Sequence, residues 1–312
     1  NVGVCAIDGN FDDCQNGVKE IFTDETVKSS LEKNNLMFSS ANSINWGRLV
    51  PQIVYYISSY VTLVEDEEIS LGEKINVVVP TGNFGNILAA YYAKKMGLPL
   101  NKLICASNVN KVLTDFINTG VYDRNREFYA TNSPSMDILI SSNLERLLYL
   151  LTGENDQTIK QWFADLSTKG KYEITDEVKS KLKEDFYAGY CDDNQTKTTI
   201  KKIFEKYSYT CDTHTAVAVK VYEDYKNETN DTTKTIIAST ASPYKFTESV
   251  IEAIDINKKT EDEYEMVNVL NSISNINIPE SLAELKNKPL LHSDSIEKTE
   301  MKNYVINTFN LK

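Results

Sequence analysis

The sequence predicts an α/β protein with a doubly wound, mostly parallel sheet, flanking helices and a helical insertion. The main observation is the run Ile75-Asn-Val-Val-Val-Pro80, whose β-branched residues are typical of a parallel strand buried on both faces. Two further runs, at 103–107 and 235–240, have the same character. Each run precedes a segment of helical spacing, and strands that alternate with helices favour a doubly wound sheet.

Composition limits the classes of function. The 312 residues are 41% hydrophobic and 25% charged, as in a globular protein of roughly two domains. A net charge of −12 argues against general nucleic-acid binding, because an acidic chain repels phosphate backbones. No apolar run approaches the ~20 residues that span a bilayer, so no membrane association is expected. The five cysteines form no CxxC pair and there are two histidines, so we expect free thiols, a cytoplasmic protein and no metal.

The elements before the first long strand are predicted from spacing and turn signals. Residues 2–7 are predicted to form a short strand, and Phe11–Phe22 a helix. A longer helix is expected from Ser43 to Val64, with a kink at Pro51. Its apolar positions nearly encircle it, so we expect it to be largely buried. The chain opens in a strand without an initiator Met, which suggests that its beginning is missing.

The later elements follow the same rules. Helices are predicted at Ile87–Met96, Lys111–Asn118 and Phe246–Ile254, each after one of the three strands. Residues 150–209 are polar and helical in pattern with no convincing strand, so we interpret them as a helical insertion. Residues 255–312 are also helical in pattern and are expected to wrap the edge of the sheet.

The strongest local motif is Thr81-Gly-Asn-Phe-Gly-Asn86, between the buried strand and a helix start. Ligands of open α/β sheets bind beyond the carboxyl ends of the strands, and a helix N-terminus favours a phosphate. Gly82 and Gly85 are expected to permit positive φ and close backbone approach. The motif is neither GxGxxG nor a Walker loop, so a small phosphate monoester fits better than a diphosphate. The alternative is a tight turn that uses glycine for geometry alone.

Five blocks, in the same order, resemble the threonine synthase family, which uses pyridoxal phosphate in the fold type II class. The blocks are Ala6-Ile-Asp-Gly-Asn-Phe-Asp-Asp-Cys-Gln15, Ser40-Ala-Asn-Ser-Ile-Asn-Trp-Gly-Arg-Leu49, Pro80-Thr-Gly-Asn-Phe-Gly-Asn86, Asp212-Thr-His-Thr-Ala-Val-Ala218 and Ser239-Thr-Ala-Ser-Pro-Tyr-Lys-Phe246. The resemblance implies a lyase of threonine biosynthesis that converts O-phosphohomoserine and water to threonine and phosphate. It also implies the large domain of a fold type II enzyme.

The resemblance also implies what this chain lacks. In the family, the lysine that binds the cofactor covalently lies upstream of the block at 6–15. We therefore expect a C-terminal portion that is inactive alone, with no catalytic residue of its own and the missing N-terminal segment as its partner. The implied domains are 1–39 as a remnant of the smaller cofactor domain, 40–149 and 210–312 as the large domain, and 150–209 as the insertion.

The resemblance assigns candidate residues to the site. The cofactor phosphate is expected on Gly82, Asn83, Phe84, Gly85 and Asn86. The hydroxyl of Thr240 is expected to meet the pyridine nitrogen, although Thr240 could instead cap the following helix. Substrate contacts are expected from Asn42, Ser43, Asn45, Arg48 and Lys245. Ser43 could alternatively cap its helix, and Arg48 could be a solvated charge. His214, after a candidate cap at Asp212, is at best a supporting residue.

Two other functions stay open. One is another fold type II lyase, such as a cysteine synthase or a tryptophan synthase β-chain, although the more glycine-rich phosphate loop expected there is absent. The other is a catalytically dead, threonine-synthase-like protein that binds a phosphate ligand. The sequence upstream of residue 1 would discriminate between them, since a lysine in a short polar motif there supports the enzyme.

Overall fold

A computed structural model describes residues 2–9, 11–40 and 42–311. The described residues form eight strands and fifteen α-helices, with short 3-10 turns between some of them. The strands are β1 (Cys5–Asp8), β2 (Ile75–Pro80), β3 (Leu100–Ser107), β4 (Val121–Asp123), β5 (Lys171–Glu173), β6 (Phe186–Tyr190), β7 (Thr235–Ile237) and β8 (Asp294–Glu297). The helices are α1 (Phe11–Thr23), α2 (Glu25–Lys33), α3 (Trp46–Leu49), α4 (Gln52–Glu65), α5 (Gly85–Lys95), α6 (Val112–Thr119), α7 (Leu144–Leu151), α8 (Asp156–Lys169), α9 (Asp176–Asp185), α10 (Asp193–Tyr207), α11 (Thr213–Thr229), α12 (Thr247–Asp255), α13 (Glu263–Ser274), α14 (Glu280–Ala283) and α15 (Met301–Thr308).

The larger of two compact units, Asn42–Pro279, is built on a parallel sheet of order β6-β3-β2-β7. Strand β2 is buried at every position, as its β-branched run predicts. It pairs with β3 on one side, for example Val79 with Cys105, and with β7 on the other. The predicted fold class is therefore confirmed, and the strand expected over 235–240 is confirmed in part, ending at Ile237.

The interpretation of residues 150–209 as purely helical is wrong. Helix α9 ends at Asp185, and β6 then joins the central sheet beside β3. A Cβ on Gly189 would come within 2.9 Å of Val221 Cγ1, so glycine lets α11 lie close to the strand. Glycine and alanine have low strand propensity, which hides β6 in the sequence.

The single helix expected from Ser43 to Val64 is divided into α3 and α4. Pro51 is the N-cap of α4, because proline has no N–H to continue the helix of the preceding turn. The expected all-round burial of this helix is wrong. Tyr56 and Tyr60 are buried, but Val54 and Tyr55 are 60% and 62% exposed.

The smaller unit brings together the two ends of the chain, residues up to 41 and residues from 280 onwards. Its parallel pair β1–β8 places Cys5 opposite Asp294, and its core includes Ile21, Leu31 and Met301. The resemblance implies that 210–312 lies in the large domain, whereas the structure groups its last part, from residue 280, with the smaller unit. Residues 294–297 are a strand that completes β1 rather than part of a helix, so this tail groups with the N-terminal residues.

Two further expectations can be compared with the described part of the chain. None of its helices has both the length and the hydropathy of a bilayer-spanning segment. All five cysteines are free thiols, as expected from their spacing, and three of them are buried. Burial raises the pKa of the Cys105 thiol to about 12, so this cysteine on β3 stays protonated and unreactive.

The position of β6 predicts a large stability effect at Phe186. This side chain is 3% exposed, and its ring lies 5.8 Å from Phe84 and 5.7 Å from Tyr91. Phe186→Ala should lower the free energy of unfolding by about 3–5 kcal/mol, measured by denaturant titration. The control Tyr209→Ala, at a half-exposed aromatic, should change it far less. Equal losses in the two variants would contradict the assignment of β6 to the core.

Candidate functional site

The sequence-predicted loop connects the carboxyl end of β2 to the N-terminus of α5. Its turn residue Phe84 has a left-handed backbone, with φ 64° and ψ 0°, which costs a bulky residue about 1–3 kcal/mol. The Phe84 ring is 1% exposed and lies against Phe186, so its burial offsets this cost. The first N–H groups of a helix have no partner within the helix, and no described side chain caps those of α5.

Of the two properties expected of the loop glycines, the positive φ is wrong. Neither Gly82 nor Gly85 has a positive φ, since the left-handed position is taken by Phe84. A Cβ on Gly82 would lie 2.5 Å from the backbone oxygen of Ser135, and one on Gly85 would lie 3.4 Å from Ser43 and Asn143. The glycines are therefore needed for close approach to neighbouring chain segments, most strictly at position 82.

A segment that the sequence analysis missed, residues 141–143, lies along the loop. The Ser141 hydroxyl donates to the carbonyl oxygen of Gly82 at 3.0 Å. The backbone N–H and the Nδ2 of Asn143 both donate to the Asn83 carbonyl, at 3.1 and 2.9 Å. The Ser142 hydroxyl donates to Asn83 Oδ1 at 3.1 Å. The only sequence signal is the polar triplet Ser141-Ser-Asn143 before the leucine-rich α7.

Asn86, in the first turn of α5, is joined to α4. The Tyr56 hydroxyl donates to Asn86 Oδ1. Burial raises the pKa of Tyr56, so its hydroxyl stays protonated and remains a donor. The side chain of Asn86 is thereby oriented with its oxygen toward Tyr56.

The expected substrate residues near α3 are only partly brought to the loop. Ser43 is within reach of Asn143, with 3.4 Å between its Oγ and Asn143 Nδ2, and it donates to Asn42 Oδ1 at 3.2 Å. Asn45, not Ser43, caps α3 by accepting from the Gly47 N–H at 2.9 Å. Positions 42, 43 and 45 precede the helix, because α3 begins only at residue 46. Arg48 is exposed on α3 and has no acidic partner in the described ranges.

Thr240 and Lys245 follow β7 at the carboxyl edge of the sheet. The Ala238 N–H donates to the Val78 carbonyl at 2.9 Å, so the chain continues alongside β2 past the end of β7. Thr240 is exposed beyond this point and is not a helix cap, since Ser242 caps the 3-10 turn Pro243–Phe246. The Lys245 side chain is exposed, with its Nζ 5.5 Å from the centre of the Phe246 ring.

His214 is buried and connects three segments around the loop. Its Nε2 accepts a hydrogen bond from the Ser135 N–H at 3.1 Å, so Nδ1 holds the ring proton. Its ring lies 4.7 Å from Phe246. Asp212 caps α11, as expected. Burial opposes its ionisation, but hydrogen bonds from His214 and Thr215 outweigh burial and lower its pKa. His214 is therefore a structural support next to Gly82, through Ser135.

Comparison with solved structures assigns the class. A structure described as pyridoxal-phosphate-bound threonine synthase from Brucella melitensis is 33% identical, with a TM-score of 0.78. The match covers 98% of this chain and 59% of that one. This chain therefore has the fold of the fold type II pyridoxal phosphate enzymes.

Sequence comparisons narrow the class to a family. The family model for threonine synthase, C-terminal, matches residues 215–303. Human threonine synthase-like 1 is 40% identical over 296 residues, which are 94% of this chain and 38% of that protein. Threonine synthase of Saccharomyces cerevisiae is 40% identical over 268 residues, 81% of this chain and 51% of the relative. The chain belongs to the threonine synthase and threonine synthase-like family, and it spans about half or less of these curated relatives.

The glycine contacts predict unequal effects of alanine at the two positions. Gly82→Ala should lower the free energy of unfolding by about 1–3 kcal/mol, because its Cβ meets a backbone oxygen that cannot move without the whole segment. Gly85→Ala should cost less than about 1 kcal/mol, since its contacts are near van der Waals distance and alanine favours a helix. Denaturant unfolding of both variants measures the difference. A larger loss for Gly85→Ala would refute this account.

Proposed function

We propose that the protein containing this chain is a pyridoxal-phosphate-dependent threonine synthase that converts O-phosphohomoserine and water to threonine and phosphate. The observation that supports this most is the uncapped, buried N-terminus of α5 directly after β2. Partly positive N–H groups at such a helix end bind a phosphate without any cation. The family resemblance of the loop sequence supplies the identity of that phosphate.

The residues of this chain fit the cofactor's phosphate. Glycine at position 82 lets the loop lie directly against the backbone of Ser135. The carbonyl oxygens of Gly82 and Asn83 are occupied by donors from residues 141–143. An anion at the loop would therefore meet N–H groups, not carbonyl oxygens. With a net charge of −12, the protein depends on such a local arrangement to hold an anion.

When bound, pyridoxal phosphate supplies an electron sink for proton abstraction and elimination at the substrate. In our proposal Thr240 offers a neutral hydroxyl to the pyridine nitrogen from the same sheet edge as the loop. A hydroxyl would not hold that nitrogen protonated as strongly as a carboxylate would. Thr240 would thus limit how much negative charge the ring accepts.

The substrate phosphate needs a separate cationic group. Arg48 and Lys245 are exposed, and Arg48 has no acidic partner among the described residues. A guanidinium can bind two phosphate oxygens at once, which favours Arg48 over Lys245 for this role. Ser43, Asn42 and Asn45 would line the site between the cofactor phosphate and the substrate phosphate.

A second candidate function is ligand binding without lyase activity. A relative named threonine synthase-like 1, the human protein, is as similar to this chain as the yeast threonine synthase is, at 40% identity each. In that case the protein would bind pyridoxal phosphate, or another small phosphate monoester, at the same loop. The two functions differ in turnover, not in the first binding step.

The test uses the protein expressed at its full natural length. Absorbance titration with pyridoxal phosphate should show saturable binding, and O-phosphohomoserine should yield threonine and phosphate in equal amounts. Cofactor binding without either product would support the ligand-binding function and contradict the lyase. In the same assay the 312-residue chain alone is expected to release no phosphate, because the resemblance places the covalent lysine of the family outside it.

Arg48 gives a sharper test of the substrate site. Arg48→Lys should raise KM for O-phosphohomoserine by roughly tenfold or more and leave the spectrum of the bound cofactor unchanged, because an ammonium cannot reproduce the forked contact. Arg124→Lys, in a segment remote in sequence from the loop, provides the matched control, and its KM should stay unchanged. Wild-type kinetics in both Arg48→Lys and Arg48→Ala would remove Arg48 from the site.

A further inference from the structure

The orientation of the loop's peptide groups depends on one buried amide. Asn143 is 0% exposed and makes two hydrogen bonds to the Asn83 carbonyl, one from its backbone N–H and one from its Nδ2. With the Ser141 bond to Gly82, two successive carbonyl groups of the loop are fixed on the side of residues 141–143. These bonds anchor the segment of chain that connects β2 to α5.

Because the peptide bond is planar, fixing a carbonyl group also fixes the direction of the N–H group in the same peptide. In a trans peptide, C=O and N–H point in opposite directions. Fixing the Gly82 and Asn83 carbonyls therefore turns the N–H groups of Asn83 and Phe84 away from residues 141–143. Neither N–H has a hydrogen-bond partner among the described residues. They extend the row of free N–H groups that begins the first turn of α5.

Arg146 fixes which end of the Asn143 amide faces the loop. Its guanidinium donates to Asn143 Oδ1 and, at 2.8 Å, to the carbonyl of Ile44. Arginine has no acceptor, so the amide atom that faces it must be the oxygen. Nδ2 is then left to face the Asn83 carbonyl. The guanidinium also lies 5.9 Å from the centre of the Trp46 ring, which restricts its movement.

We propose that Asn143 is a positioning residue for cofactor binding: it holds the peptide groups of Asn83 and Phe84 with their N–H groups toward the phosphate, and Arg146 fixes its amide. This inference rests on the proposed binding of pyridoxal phosphate at the loop. Asn143 itself does not touch the phosphate, because both its hydrogen-bonding ends are occupied by protein groups. Its effect on binding therefore passes through the backbone.

The test compares two ligands that differ only in the phosphate, pyridoxal phosphate and pyridoxal, on the protein at its full natural length. Asn143→Ala should reduce the preference for pyridoxal phosphate over pyridoxal by about tenfold, which corresponds to the contribution of roughly one hydrogen bond. The affinity for pyridoxal should change less than about twofold. A general loss of stability would weaken both ligands alike and leave the ratio unchanged.

Two more variants make the outcome decisive. Arg146→Lys keeps the positive charge but loses the forked contact, and should reduce the ratio by about threefold, so it decides the matter if Asn143→Ala does not fold. Asn76→Ala removes another 0%-exposed amide, at the opposite end of β2, and should lower stability without changing the ratio.

Each result has one meaning. If wild-type protein binds pyridoxal phosphate no better than pyridoxal, the proposed cofactor site is wrong. If wild-type protein prefers the phosphate but Asn143→Ala and Arg146→Lys keep the full preference, the positioning role is overturned and the proposed function stands.

Discussion

The left-handed backbone of Phe84 is the constraint on which the site depends. It reverses the chain between a strand buried along its whole length and a helix whose first turn is also buried. A bulky residue adopts this conformation only where the surroundings impose it. Here the Phe84 ring is enclosed beside Phe186 of β6, so the edge strand of the sheet contributes to the shape of the loop. The core and the site are thus one packed structure.

Much of the central fold could be predicted from local sequence patterns. The strands at 75–80 and 103–107 are continuous apolar runs, and each is followed by a segment of helical spacing. Strand β6 could not be predicted in this way. Its residue Gly189 fits the small volume that Val221 of α11 leaves to it, and this is a property of packing between distant segments.

The loop at the centre of the candidate site could be predicted from the sequence, but the residues that hold this loop in place could not. The loop at 81–86 has a recognisable sequence because its own backbone must take an unusual path. Asn143, Arg146 and Tyr56 contribute through hydrogen bonds to residues 30 to 102 positions away in the chain, and no periodicity marks them. The prediction of a positive φ at Gly82 and Gly85 was wrong for a related reason. Sequence indicates that glycine is needed, whereas the structure shows whether dihedral freedom or a nearby atom requires it.

The pairing of β1 with β8 has a consequence for the order of folding. Residues 5–8 find their partner strand only at 294–297, whereas every strand of the central sheet lies within 75–237. During synthesis from the N-terminus, the residues of the larger unit are complete while β1 still lacks its partner. Pairing β1 with β8 closes a loop of nearly the whole chain, and the smaller unit bears the entropic cost of this closure. The pairing of β1 with β8 therefore forms only after every strand of the central sheet has been synthesised.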